Sequence, residues 1–263
     1  MKRKKIALAA AAQTLRTPEH RVFWTSRVDG ILPTDFVPLK RFFVLYARRH
    51  FRDFPWRDLR TTPFHLLIAE LLLAQTKAED VAQVWPALVA RYPQPERLAR
   101  ARLSTLRLLL RPLGFQNQRA KALKNVARFL EEKFGGVVPS GAENLLQIPH
   151  LGLYAATAVG CFKFSERVPI VDANVIRVLG RFSGYQTRKD LRRSRQIWSL
   201  AWAILPRNAV LHNYGLLDFA ANICTTHKPK CGSCKLQASC QYVRRELSIN
   251  VQRSRRLAVL ASQ

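Results

Sequence analysis

The stretch that decides the reading is Leu145-Leu146-Gln147-Ile148-Pro149-His150-Leu151-Gly152-Leu153-Tyr154-Ala155-Ala156. Two helix-forming segments flank a short interruption. Pro149 ends the first, and Gly152 permits a tight turn. The first amides of the helix that follows have no intrahelical acceptor and point outward. Helped by the positive end of the helix dipole, such N–H groups hold a phosphate without reading base sequence. By itself the pattern also fits an ordinary helix-turn-helix connection, so its meaning depends on what surrounds it.

Upstream, the pattern is helical from Val37 onward. Phe42, Phe43, Leu45, Tyr46 and Phe51 are expected on one face of a first helix, and Pro55 and Pro63 bracket a loop containing Trp56-Arg57. Helices are predicted over 66–75, 81–92, 104–110 and 118–133, each apolar on one face and ended by Pro, Gly or charge. Ser140 is expected to N-cap a short helix, with Glu143 at capping-box spacing. β-branched residues are sparse, while Leu, Ala, Arg and Lys, all good helix formers, abound. The prediction is an all-α protein of roughly ten helices, with no internal repeat.

Downstream of the hairpin comes Val171-Asp172-Ala173-Asn174, just before an apolar helix. Asp172 or Asn174 would cap that helix, and capping alone accounts for a carboxylate there. Further on, Cys224, Cys231, Cys234 and Cys240 follow the spacing C-x6-C-x2-C-x5-C. Four soft thiolates in so short a segment can close around one metal centre. Zinc sites with four cysteines usually use two C-x2-C knuckles, and only one is present here, so zinc and an iron–sulfur cluster both stand at this point. Five cysteines in all, an odd number, fit a metal centre in a reducing compartment better than a disulfide framework. Cys161, in an apolar helix, reads as core. Lys228 and Lys230 lie in the intervening loop, where a tethered metal centre would make them a rigid basic knuckle for a nucleic-acid backbone. His227 reads as surface.

Charge narrows the partners. The 263 residues hold 44 Lys and Arg against 17 Asp and Glu, a formal charge of +27, spread along the chain. Such an excess repels itself unless a polyanion is near, and it points to nucleic acid or an anionic surface. A merely basic, ribosome-like or heat-adapted surface is the plain alternative. No run approaches the roughly 20 apolar residues of a membrane helix. The basic start Met1-Lys2-Arg3-Lys4-Lys5 and the short apolar run to Ala12 lack a convincing cleavage site. The expectation is a cytoplasmic, nucleoid-associated monomer.

Taken in order, these features resemble the endonuclease III/MutY superfamily of helix-hairpin-helix DNA glycosylases over roughly residues 40–243. Within it the likeness is strongest to the branch acting on thymine or uracil opposite guanine. It rests on Trp56-Arg57, Ala69-Glu70-Leu71-Leu72-Leu73-Ala74-Gln75-Thr76, Asn117-Gln118-Arg119-Ala120, Gly135-Gly136, Tyr154 after the hairpin, Val171-Asp172-Ala173-Asn174, and Leu217-Asp218-Phe219-Ala220 leading into the cysteine loop.

The resemblance implies a [4Fe–4S] cluster on the four cysteines and a double-stranded DNA partner with a mismatched or damaged base. It implies that Asp172 is the catalytic carboxylate, that Glu70 faces the base pocket, and that Gln75 and Thr76 sit on the turn entering the gap left by a flipped base. His150, Gly152 and Asn117 are the further DNA contacts it implies. Tyr154 stands where strand-cleaving relatives have a Schiff-base lysine, so the implied enzyme is monofunctional, with little lyase activity. Two departures are His150, where the family hairpin usually has glycine, and Ala74, where MutY has Gln. The alternatives are a MutY-like adenine glycosylase acting on A·G or A·8-oxoG, which the short stretch after Cys240 disfavours, and a non-catalytic DNA-binding or redox module. An endonuclease III-like enzyme for oxidised pyrimidines is disfavoured by Tyr154. The implied organisation is a basic N-terminal extension (1–38), a cluster lobe (39–63 and 165–243), a six-helix lobe with the hairpin (64–164) and a basic tail (244–263).

Overall fold

The computed structural model describes residues 36–185 and 195–245. Nearly all of the expected N-terminal extension and C-terminal tail lies outside the described residues. Among the described residues there is no β-strand, so the all-α expectation holds. No helix there is long and apolar enough to cross a membrane. The chain divides into two compact units, one formed by Arg52–Val168 and the other by the described residues up to Phe51 with those from Pro169 onward.

The Arg52–Val168 unit holds seven helices: α2 (Pro63–Leu73), α3 (Ala78–Arg91), α4 (Pro95–Ala99), α5 (Leu103–Leu110), α6 (Gln116–Phe134), α7 (Ala142–Leu145) and α8 (Leu153–Phe164). α2 starts where Thr62 accepts the amide of His65 and Pro63 occupies the first turn, where its missing N–H costs nothing. α2 and α8 form the centre of the unit. Leu66, Leu67, Ile68, Ala69 and Leu72 of α2 and Ala156, Val159 and Cys161 of α8 are buried. The small residues on α8 let α2 pack against it, and Cys161 is core, as expected.

Two local expectations give way. The short helix α7 is capped by Gly141 rather than Ser140. Gly141 takes φ +84, and its N–H donates to Glu166 Oε1 at 2.9 Å. A carboxylate from beyond α8 thus meets the chain entering α7, and no side chain caps it locally. At the hairpin the left-handed residue is His150, at φ +64, whereas Gly152 is extended at φ −83. His150 therefore makes the turn itself, at the energetic cost a non-glycine residue bears there.

The second unit pairs α1 (Val37–His50) with α11 (Ala209–Asn222), and adds α9 (Ala173–Ser183), α10 (Arg195–Ala203) and the cysteine loop. Phe43 and Ala47 are fully buried, and Phe42, Phe43 and Tyr46 meet Phe219 edge-on. The two backbones approach so closely at Gly215 that a Cβ would lie 1.9 Å from the Phe43 carbonyl oxygen. Phe51, expected on the α1 face, is instead the residue just past the helix and remains exposed.

Candidate active site

In the first unit, Glu70 is buried on α2, at 5% exposure, among leucines. Tyr154 is in the first turn of α8, half-buried against the same core, and its carbonyl accepts the Thr157 hydroxyl at 2.8 Å. Because α2 packs on α8, the fold brings these two helices together. No side chain caps α8, which starts behind Gly152, and the first turn of a helix is where backbone amides lack intrahelical acceptors and suit a phosphate. His150 and Gly152 are both exposed.

Gln75 and Thr76 lie on the turn between α2 and α3. Gln75 is exposed and left-handed, at φ +60. The turn is held from a distance by Arg119, at the start of α6. Its guanidinium donates to Leu72 O at 3.0 Å, Ala74 O at 3.2 Å, Thr76 Oγ1 at 2.5 Å and Gly114 O at 3.1 Å. A rigid fork of donors is suited to this kind of multiple capture. The same fork fixes the turn before α6, where Phe115 is left-handed (φ 48) and 64% exposed, and Asn117 lies exposed nearby. Sequence reasoning assigned no role to Phe115 or Arg119. A large aromatic after Gly114, outside any apolar periodicity, was the available signal for the first; nothing local signals the second.

In the second unit, Asp172 is the N-cap of α9. Oδ1 accepts the Val175 amide at 2.7 Å and Oδ2 accepts Asn174 Nδ2 at 2.7 Å. Burial pushes its carboxyl above the ordinary aspartate value, against the lowering pull of these bonds and of Arg177, although part of its surface stays accessible. Arg177 extends the chain of contacts, donating to Asn174 Oδ1 at 3.0 Å, Ala220 O at 3.0 Å and Cys224 O at 2.8 Å. The carboxylate is thereby tied, through Asn174 and Arg177, to the start of the cysteine loop.

Cys224, Cys231, Cys234 and Cys240 line one cavity with Val178, Phe182 and other apolar side chains. Burial pushes the Cys234 thiol up, and the thiols of Cys240, Cys224 and Cys231 push it the same way, which puts each of those three within electrostatic reach of Cys234. Arg181 donates to Cys224 Sγ at 3.5 Å and to Thr225 O at 2.6 Å, and lies over the Tyr242 ring. Soft donors around an apolar cavity, with a cation beside one sulfur, fit a thiolate-ligated iron–sulfur group. Among the described residues, no three His, Cys, Asp or Glu side chains converge to hold a single metal ion. Lys228 and Lys230 are exposed on the loop, and Lys230 also borders the cavity.

Residues 68–202 match the model of the HhH-GPD superfamily base excision DNA repair proteins. The chain is 38% identical to the thymine-DNA glycosylase of Aeropyrum pernix over 195 residues, covering 73% of this chain and 87% of that protein. It is 35% identical to the thymine/uracil-DNA glycosylase of Methanothermobacter thermautotrophicus, covering 73% and 86%. Among solved structures, a thermostable thymine-DNA glycosylase superposes with a TM-score of 0.76 at 32% identity, covering 80% of this chain and 97% of that one.

Proposed function

Because the chain belongs to the HhH-GPD superfamily of base excision DNA repair proteins, we propose that it is a monofunctional glycosylase removing thymine or uracil mispaired with guanine. The observation that carries the substrate is the similarity, over most of both chains, to glycosylases named for thymine and uracil. In this reading the target base leaves the duplex, and the exposed turns at Gln75 and Phe115 occupy the gap. The amides behind Gly152, with His150 and Asn117, hold phosphates, and Lys228 and Lys230 add to the backbone footprint.

Breaking the N-glycosidic bond builds positive charge on the deoxyribose. The Asp172 carboxylate stabilises that charge and orients a water, and Glu70 protonates or hydrogen-bonds the departing base. Tyr154 has no amine to form a Schiff base, so the product is an intact strand with an abasic site. Cys224, Cys231, Cys234 and Cys240 would hold a [4Fe–4S] cluster, which supplies a rigid anchor for the loop and, through Arg177, for the neighbourhood of Asp172.

The test is excision from labelled duplexes containing T·G, U·G, A·G or A·8-oxoG, each with and without hot alkali. Breaks at T·G or U·G that need alkali are expected. Breaks without alkali would overturn the monofunctional assignment, and product mainly from the adenine duplexes would move the substrate to adenine. Iron content near four per chain, lost in Cys234→Ala, checks the cluster.

A further inference from the structure

A second strongly cationic feature lies in the Arg52–Val168 unit, on residues given no role above. Arg91, Tyr92, Arg97, Arg100, Arg102 and Thr105 line an open cavity of about 560 Å³ at the junction of α3, α4 and α5. All four arginines are exposed. Only Arg100 meets a carboxylate, Glu96, at 3.0 Å; among the described residues Arg91, Arg97 and Arg102 have no acidic partner. Arg91 lies over the buried ring of Tyr92. Lys124 adds a further cation behind the cavity, donating to the carbonyl of Ala101 at 2.5 Å, and Ala101 is itself a wall residue. Several cations around one concavity, with a single acid among them, focus a positive potential that free surface arginines do not.

Helix geometry places this cavity far from the base-flipping turns. α3 begins three residues after Gln75 and ends at Arg91. At 1.5 Å per residue, its 14 residues span about 20 Å. α5 runs the other way, from beside Arg102 to Leu110, shortly before Gly114 and Phe115. Both helices therefore have one end at the turns and the other at the arginines. The separation, on the order of 20 Å, is about the width of a duplex.

We propose that the Arg91–Arg97–Arg100–Arg102 cavity is a second phosphodiester-binding site, which holds the backbone of a DNA segment other than the one engaged at the Gln75 and Phe115 turns. It rests on the reading above only for which end takes the first duplex. Guanidinium groups fit phosphate oxygens in paired fashion, and the walls offer no acceptor pattern for reading bases. A protein holding two segments passes directly from one to the other, which suits a search for rare lesions.

The test uses the full chain with an excess of a short labelled duplex and counts duplexes per chain by sedimentation. Two variants are compared: Arg91→Ala/Arg97→Ala/Arg102→Ala, and a charge-matched control on α1, Arg41→Ala/Arg48→Ala/Arg49→Ala. Two duplexes per chain are expected for the wild type and the control, and one for the cavity variant, with the second duplex bound at least about tenfold more weakly. Excision from a single short duplex stays within twofold. A cavity variant that still binds two, or a control that loses the second duplex equally, overturns the proposal. So does displacement of the second duplex by inorganic phosphate beyond what chloride does at equal ionic strength, which would make the cavity a simple anion pocket, or by an acidic peptide matched in charge, which would make it a protein-docking site. Loss of excision in the cavity variant would place the arginines in the first site. Should wild-type excision itself be absent, the glycosylase reading fails while the duplex count still decides this one.

Discussion

In the proposed mechanism Asp172 serves both fold and chemistry. Its carboxylate caps α9, and the same burial that makes the cap strong raises its pKa. The folded protein therefore holds that proton more tightly than the unfolded chain does. Stability from this group is largest at acid pH and declines as pH rises through the window between the ordinary aspartate value and the raised folded one, so the ionised carboxylate is a net cost at neutral pH. Asparagine caps about as well as aspartate. Asp172→Asn is thus expected to melt no lower than the wild type at neutral pH, while excision falls by roughly 10²–10³-fold and DNA binding persists. Excision by the wild type should fall with acid at a pH above the ordinary aspartate range, read from a single-turnover pH profile. Arg119 is the complementary case, a positioning residue at the two turns. Arg119→Lys keeps the charge but loses the fork. It is expected to lower the single-turnover excision rate by roughly 10–100-fold with little change in duplex affinity; equal losses in both would refute a positioning role.

Among elements, α11 meets α1 through groups whose protonation matters. His212 is 1% exposed, edge-on to Phe43 at 5.4 Å and hydrogen-bonded to the Lys40 backbone; burial pushes its pKa down to about 4. The folded state keeps it neutral while the unfolded chain protonates near 6.5. Stability contributed by this residue is therefore complete above that value and is lost as pH falls from about 6.5 toward 4, by on the order of 3 kcal/mol. Urea denaturation at pH 7 and pH 5 should show a larger loss in the wild type than in His212→Gln. Equal losses would mean that other groups govern acid unfolding. Such pairings also mark what was legible beforehand. Helix α9 was readable, with its cap narrowed to Asp172 or Asn174, because an N-cap is a local, short-range pattern. The same logic misplaced the cap of α7, since Glu166 reaches Gly141 from 25 residues away, and it put the hairpin's strain on Gly152, when His150 takes it. The grip of Arg119 on Leu72 and Ala74 crosses more than 40 residues, and periodicity does not encode contacts of that range. The roles expected of Glu70 and Tyr154 come from family likeness; spacing alone assigns a buried carboxylate and a half-buried tyrosine to no particular role.

At the scale of the whole molecule the dominant fact is the formal charge of +27. If the hairpin amides, His150, Asn117 and the lysines of the cysteine loop engage about six phosphates of one duplex, log affinity should fall with log salt at a slope near −5. The cavity arginines belong to a second duplex in this account. Removing three of them should leave the slope for the first duplex nearly unchanged, although the net charge drops by three. A model in which affinity follows overall charge alone requires the slope to become shallower in both the cavity variant and the α1 control. Titrating a single short duplex, with protein in excess, across a salt series for all three proteins separates the two. A slope shallower than about −3 in the wild type would contradict a broad backbone footprint. A slope that changes only in the cavity variant would move those arginines into the first footprint, because counterion release reports the phosphates actually neutralised and not the charge carried elsewhere on the surface.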